Sequence, residues 1–400
     1  MGAAVDFDSV TLTRILAVCS EESAGPEETV HLIRQRQHSF APTMYSAWER
    51  EGQPLNPALR YELDLQRSRI QLYREIAALI TERVPDAVPL KGLQVAALYP
   101  PDVVRYMNDL DYVVPDQTTL WRLAGLMVEL DWPVESATFM TYQDELHIMI
   151  SFRRPNTDRY ALPFGVEIAT HVTLGDLSGV PPVIGLPPAW RVPEVKNLVM
   201  LLFERFEQQF RARDIVDAAI QLDALGPDRF PLLAKEIQRL GLWPEYAELR
   251  GLMGRAEIGD LPPSPPAGGV RMSRARRAAR AVTPFAHPVS AAARELQRRM
   301  VYGKFGRLDG RAWSMTKEKL NPTWALRAGL LCFGLPVDGG PTGGDTASVH
   351  HRGAVCWVET PIGRFLLTPG TEIDEDALEV LPATEPGPED ARLDVAEHKA

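Results

Sequence analysis

An α+β fold is predicted for this chain of 400 residues, and three observations predict it. Apolar residues recur at helical spacing through residues 1–85. The period shortens to two between about 86 and 185, and helical spacing returns from 186 to 258. A small mixed β-sheet flanked by an N-terminal and a C-terminal helical region satisfies that order. Residues 259–320 then read as a linker and a basic segment, and residues 321–383 as a small β-rich module. The acidic Pro/Glu/Asp/Ala sequence of 384–400 is expected to be disordered.

Each element has a local cause. Asp8 to Cys19 places Val10, Leu12, Ile15, Leu16 and Cys19 on one helical face. Pro26-Glu27-Glu28 opens a second helix, with Pro and acids in its first turn. Asn56-Pro57 is an N-cap followed by Pro at the first helical position, and the helix it starts runs to about Arg83. Strands are expected at Ala87–Leu90 and Leu110–Val114, a helix at Thr118–Leu130, and strands at Ala137–Thr141, His147–Phe152 and Phe164–Thr170. Arg153 to Asp158 has the chemistry of a hairpin loop. Helices are expected at Val192–Phe210, Ile215–Leu225, Pro231–Gly241 and Pro244–Met253. The C-terminal strands are expected at Ala354–Thr360 and Arg364–Thr368.

Bulk properties narrow the function classes. The chain is 45% hydrophobic and 24% charged, as globular proteins are, and its net charge of -10 argues against a protein that coats nucleic acid. Three cysteines have no metal-type spacing, and their odd number argues against a disulfide framework. Asp6 and Asp8 stand where a signal peptide needs basic residues, and no run approaches the ~18 apolar residues of a membrane span. The expectation is a cytoplasmic protein that does not engage a membrane.

The informative stretch is Pro89-Leu-Lys-Gly-Leu-Gln-Val-Ala-Ala-Leu-Tyr-Pro100 followed by Arg105-Tyr-Met-Asn-Asp-Leu-Asp-Tyr-Val-Val114. Asp109 and Asp111 are two apart on a strand, so both carboxylates leave the same face. Leu110, Tyr112 and Val114 anchor the other face. Two like charges so placed repel unless a cation lies between them, and hard oxygen ligands of this kind suit Mg2+. Asp-x-Asp alone is equally a solvated strand end, so the surrounding order decides. Lys91-Gly92 ends the preceding strand, where Gly lets backbone N–H groups approach a phosphate and Lys adds compact charge. Arg105, four residues before Asp109, is placed to meet the carboxylates or a triphosphate.

These residues resemble the nucleotidyltransferase superfamily of the DNA-polymerase-beta type. More narrowly, they resemble a bacterial group of uncharacterised nucleotidyltransferase family proteins. The pattern in this sequence is Leu90-Lys91-Gly92, Tyr99-Pro100, Arg105 and Asp109-Leu110-Asp111. Met44-Tyr45 and Asn56 lie upstream, and the likeness spans residues 40–225. A related toxin-like group carries Gly-Gly or Gly-Ser after the strand, whereas Leu93 follows Gly92 here.

The resemblance implies a nucleotidyltransferase catalytic core over 86–185, with 186–258 closing the cleft. It implies a third carboxylate on a later strand, for which Glu167 in Gly165-Val-Glu-Ile-Ala-Thr-His171 is the candidate, with His171 as a further site residue. Lys91, Gly92 and Arg105 would bind nucleotide; Asp109, Asp111 and Glu167 would hold two Mg2+ ions, or Mn2+. Arg211 and Asp214 read as a charged pair orienting the helical lid, with a contact to base or ribose as the alternative.

The activity so implied is metal-dependent transfer of a nucleoside monophosphate from a nucleoside triphosphate to an acceptor hydroxyl or phosphate, with release of pyrophosphate. The acidic chain favours a small-molecule or peptide acceptor over an RNA end. The alternatives are a non-catalytic nucleotide-binding or scaffolding protein of a biosynthetic or defence gene cluster, and a phosphotransferase on the same fold. The arginine-rich run 271–280 lacks interleaved aromatics and reads as a solvated helix face before it reads as an RNA contact. His350-His351 reads as a loop pair, and Ala354–Glu359 as a packing strand.

Overall fold

A computed structural model describes residues 5–20, 26–158, 161–173, 183–206, 208–258, 261–282, 321–327, 329–337 and 345–369, with Leu378 and Leu381. The expected acidic tail at 384–400 and the basic residues from 283 to 320 lie outside the described residues. The helices are α1 (Ser9–Ser20), α2 (Pro26–Arg36), α3 (Ala41–Arg50), α4 (Pro57–Arg83), α5 (Gly92–Ala96), α6 (Gln117–Glu129), α7 (Pro193–Glu204), α8 (Ala212–Leu240), α9 (Trp243–Arg255), α10 (Gly269–Val282) and α11 (Pro322–Arg327). The strands are β1 (Val88–Leu90), β2 (Asp109–Val113), β3 (Val134–Tyr142), β4 (Glu145–Arg154), β5 (Phe164–Ala169), β6 (His171–Thr173), β7 (Val183–Ile184), β8 (Cys332–Val337), β9 (Ser348–Arg352), β10 (Val355–Thr360) and β11 (Gly363–Thr368). The chain is a mixed α+β fold, as expected.

The sheet is larger than the small one expected. It has nine strands in the order β1-β2-β5-β4-β3-β8-β11-β10-β9. Only β2 and β5 pair in parallel; every other neighbouring pair is antiparallel. The C-terminal strands join the core sheet through β8, which docks on β3 with Ala137 opposite Gly334 and Phe139 opposite Cys332. Without β8, β3 would offer a row of unpaired backbone groups along an apolar edge, an arrangement proteins avoid. Gly334 permits the joint, because a Cβ there would lie 2.6 Å from the Phe139 ring and 3.1 Å from Phe365 Cβ.

The sheet separates two environments. On one face Leu110, Tyr112, Ile148, Ile150, Phe152, Val166 and Ile168 are buried, beneath α6, which packs on β4 and β5. Asp116 caps α6 by accepting from the Thr119 N–H at 2.7 Å. The opposite face carries the acids, and α5 meets β2 at its edge. Asn56 caps α4 as the Asn-Pro signal predicts, accepting from Leu59 N–H at 3.0 Å.

The C-terminal helices differ from expectation in their bounds. The helix expected to reach Phe210 ends at Glu204. The two expected at 215–225 and 231–241 continue into one another as α8, broken by a non-helical Gly226 before Pro227. The arginine-rich run is a helix, α10. Arg277 from it is buried against Glu245 and the Gly241 carbonyl, while Arg271, Arg274 and Arg276 are exposed. His350-His351 lies on β9 instead of a loop, with His350 stacked on Trp357 at 5.5 Å.

Gly334→Ala is expected to destabilise the protein by ~1–3 kcal/mol through overpacking at the β3–β8 joint. Urea unfolding measures it, and an unchanged midpoint would show that the joint yields freely.

Candidate active site

The parallel pairing of β2 with β5 assembles the acids. Asp109 lies opposite Gly165 and Asp111 opposite Glu167. Partners in register point to the same face, so Asp109, Asp111 and Glu167 all project from one side of two adjacent strands. The register is held from α4. Arg69 donates to the carbonyls of Asn108 (3.2 Å) and Pro163 (2.8 Å), and Tyr73 hydroxyl accepts from Gly165 N–H at 3.0 Å while donating to Asn108 carbonyl. Both strand starts are thus tied to one helix. Asp109, Asp111, Glu167, Lys91 and Glu204 line one cavity of about 740 Å3, within the range of roughly 300–1,000 Å3 usual for ligand sites.

The charge in this cleft is poorly balanced. Burial, then Asp109, pushes the Asp111 carboxyl well above its usual range; Lys91 opposes this, and Glu167 and Glu204 add to it. Burial and Asp109 likewise raise Glu167, against the help of Arg153 and Ser151. Ser151 Oγ donates to Glu167 at 3.3 Å and Arg153 reaches the same oxygen at 3.5 Å. Among the described residues, no three or more His, Cys, Asp or Glu side chains are grouped so that they could hold a metal ion as they stand. Glu167 is drawn toward Ser151 and Arg153, and Glu204 is held by Lys91. The donor chemistry nevertheless fits a hard divalent cation. Three carboxylates share one face, and one resists ionisation because it is buried and has acids for neighbours. Asp109, Asp111 and Glu167 are the residues that would hold it.

Lys91 takes the place expected of it, at the turn after β1. Its backbone has φ 48° and ψ −128°, a region costing a non-glycine residue on the order of 1–3 kcal/mol and found most often at functional sites. Gly92 follows with φ 46°. Asn197 on α7 holds the turn by accepting from Lys91 N–H at 2.9 Å. The Lys91 ammonium forms an ion pair with Glu204, whose carboxylate Lys91 and Arg213 hold below its usual range despite burial. Periodicity shows α7 as an apolar helix but does not single out Asn197 and Glu204. Their spacing of seven, which puts both on one helical face, is the only sequence signal for them.

Two expectations are corrected. Arg105 lines the cavity, but its guanidinium grips Asp217 in a bidentate pair (Nε 2.9 Å, Nη2 2.7 Å), where both side chains are nearly inaccessible. Tyr99 hydroxyl donates to the same Asp217 at 2.7 Å. The Tyr-Pro and Arg of the motif therefore bind α8 to the core; a triphosphate would have to displace a buried ion pair to claim Arg105. Arg211 and Asp214 are not paired through their charges. Asp214 caps α8 by accepting from Arg211 backbone N–H at 2.8 Å and pairs with Arg213 at 3.2 Å. Arg211 lines the cavity near His38, in no ion pair with a described residue.

His171 lines the same cavity from β6, just past β5. It is 6% exposed and its Nδ1 has no hydrogen-bond partner among the described residues. Burial and the nearby His147 push its pKa down to about 3, so the ring is neutral at physiological pH.

Comparison with known proteins gives no match: no family model, no curated protein and no solved structure is similar enough to the chain to count as one. Among the described residues no helix is long and apolar enough to cross a membrane.

Two outcomes follow from the charges. Asp217→Ala leaves the Arg105 guanidinium buried without its partner, and is expected to cost roughly 3–5 kcal/mol in chemical denaturation. Asp111 has a raised folded-state pKa, so its contribution is favourable in acid and is lost as pH rises from its unfolded value, near 4, through the folded one. Asp111→Asn is therefore expected to raise the melting temperature at pH 7 by roughly 2 °C or more and to abolish any stabilisation by added Mg2+. A variant melting lower than the parent at pH 7 would contradict this account of the cleft.

Proposed function

We propose that this chain is a metal-dependent nucleotidyltransferase that moves a nucleoside monophosphate from a nucleoside triphosphate to an acceptor hydroxyl. The observation that carries the reading is the alignment of Asp109, Asp111 and Glu167 on one face of parallel strands, in one cavity with a strained Lys91-Gly92 turn. Bound by the three carboxylates, Mg2+ would neutralise charge on the entering and leaving oxygens of the phosphoryl centre.

The chain's own residues supply the rest. Lys91 exchanges Glu204 for the β- and γ-phosphates, and Arg211 adds a second positive charge on the same side of the cleft. Glu167, its pKa raised, takes the proton of the acceptor hydroxyl. The acceptor oxygen forms a bond to the α-phosphorus as the bond from that phosphorus to its bridging oxygen breaks. The electron pair leaves with pyrophosphate. Helices α7 and α8 wall the cleft, α8 held to the core by the Arg105–Asp217 pair and α7 by Asn197, which accepts from the Lys91 backbone N–H.

A second reading, a protein that binds nucleotide without transferring it, draws on the ion pair that already occupies Lys91 and on the lack of a metal-ready cluster among the described residues. Incubation with Mg2+, cell extract and nucleotide labelled at the α or the γ phosphorus separates the readings. Label transferred from the α position only, and lost in Asp109→Asn by at least about a hundredfold, is the expected result. Transfer from γ only would make the protein a phosphotransferase. Nucleotide binding that depends on Asp109, without transfer, would establish the second reading.

A further inference from the structure

The cavity continues past the carboxylates along the sheet. Two residues beyond Glu167 on β5 is Ala169, which pairs with Met149 on β4. Met149 pairs with Thr138 on β3, and Thr138 with Phe333 on β8. Ala169, Met149 and Thr138 thus form the next row on the acid-bearing face, about 7 Å along the strands from the Asp111–Glu167 row. All three line the cavity, as do Val172, Met200 and Leu331. His171 lines this end with a buried, neutral ring whose Nδ1 lacks a partner among the described residues.

The two ends of the cavity differ in chemistry. Lys91, Arg211, Arg213 and His38 line it on the side of the β1–α5 turn and the start of α8, whereas among the described residues the end beyond Glu167 has no Lys or Arg in its lining. In an in-line displacement the entering and leaving oxygens lie on opposite sides of phosphorus. Pyrophosphate drawn toward the cations leaves the approach from the opposite side, past Glu167, for the acceptor. That approach is apolar and carries a neutral hydrogen-bonding ring.

Building on the nucleotidyltransferase reading, we infer that the end of the cavity formed by Thr138, Met149, Val172, Met200, Leu331 and His171 is the acceptor subsite, and that it takes an uncharged, apolar-bodied small molecule bearing a hydroxyl. The His171 imidazole bonds a polar group of that molecule and positions it; Met149, Met200 and Leu331 enclose its body. An anionic acceptor such as an RNA end finds no counter-charge there among the described residues. Leu331 immediately precedes β8, so the C-terminal strands contribute a wall to the subsite that the core alone lacks.

The test uses the full chain with Mg2+ and a non-hydrolysable α,β-methylene nucleotide. The probe is 2-phenylethanol, whose binding is read by saturation-transfer NMR; nucleotide affinity is read by calorimetry on the same samples. The expected result is saturable probe binding that weakens at least tenfold in His171→Phe, which fills the subsite, and in Leu331→Asp, which charges its wall. Nucleotide affinity should stay within twofold in both variants, which also shows them folded. Probe binding that is absent, unchanged in both variants, or displaced by a short oligoribonucleotide overturns the subsite. Absence of nucleotide binding alongside saturable, His171-dependent probe binding would overturn the nucleotidyltransferase reading while leaving the subsite standing.

Discussion

The parallel, in-register pairing of β2 with β5 is the constraint on which the rest of the cleft depends. A shift of one residue would turn Glu167 to the helix-covered face and Val166 to the acids, because side chains alternate at each step. Two buried residues of α4 oppose such a slip. Arg69 and Tyr73 bind the backbone at the start of both strands, so one helix measures their relative position. Backbone groups there find partners on α4 instead of water, and the tie persists only in one register. The acids are therefore brought together by residues that never touch the cavity's contents.

Holding like charges together has a cost, and the surrounding ion pairs show how it is contained. Asp217 gathers Arg105 and Tyr99, Arg213 stands among Asp214, Glu204 and Asp217, and Glu204 reaches Lys91. This chain of contacts runs from the loop before β2, through α8 and α7, to the turn after β1. Each buried charge in it has an opposite partner, as burial requires. Asp109 and Asp111 are outside the chain. The network thus fixes the walls while leaving the floor negative, the distribution expected where function is kept at the expense of stability.

The C-terminal strands alter the scale of the molecule. By adding β8, β11, β10 and β9 to β3, they convert an edge of the core into the middle of a nine-stranded sheet. That extension brings residues near 331 to the cavity wall, so chain distant in sequence shapes one end of the cleft. The joint at Gly334 is tight enough that no larger residue fits without moving Phe139 or Phe365.

Much was legible locally. The Asn56 cap, the period-two runs and the Asp-x-Asp spacing follow from backbone geometry over a few residues, and local rules reach that far. The apolar alternation also placed Leu110, Tyr112 and Val114 in the core. What sequence could not decide was partnership. Arg105 reads as a free cation beside two acids, yet its partner, Asp217, lies 112 residues away. Lys91 and Glu204 are as remote from one another, and nothing in an apolar helical stretch marks Asn197 or Glu204 as facing a turn beyond β1. The C-terminal runs read as a module of their own because strand periodicity records which face is buried, not which strand lies alongside. The sequence by itself determined which residue types stand at which face of each element. Only the tertiary structure decided which charges met, because an ion pair or a strand pairing depends on the path of the whole chain and not on the spacing within a segment.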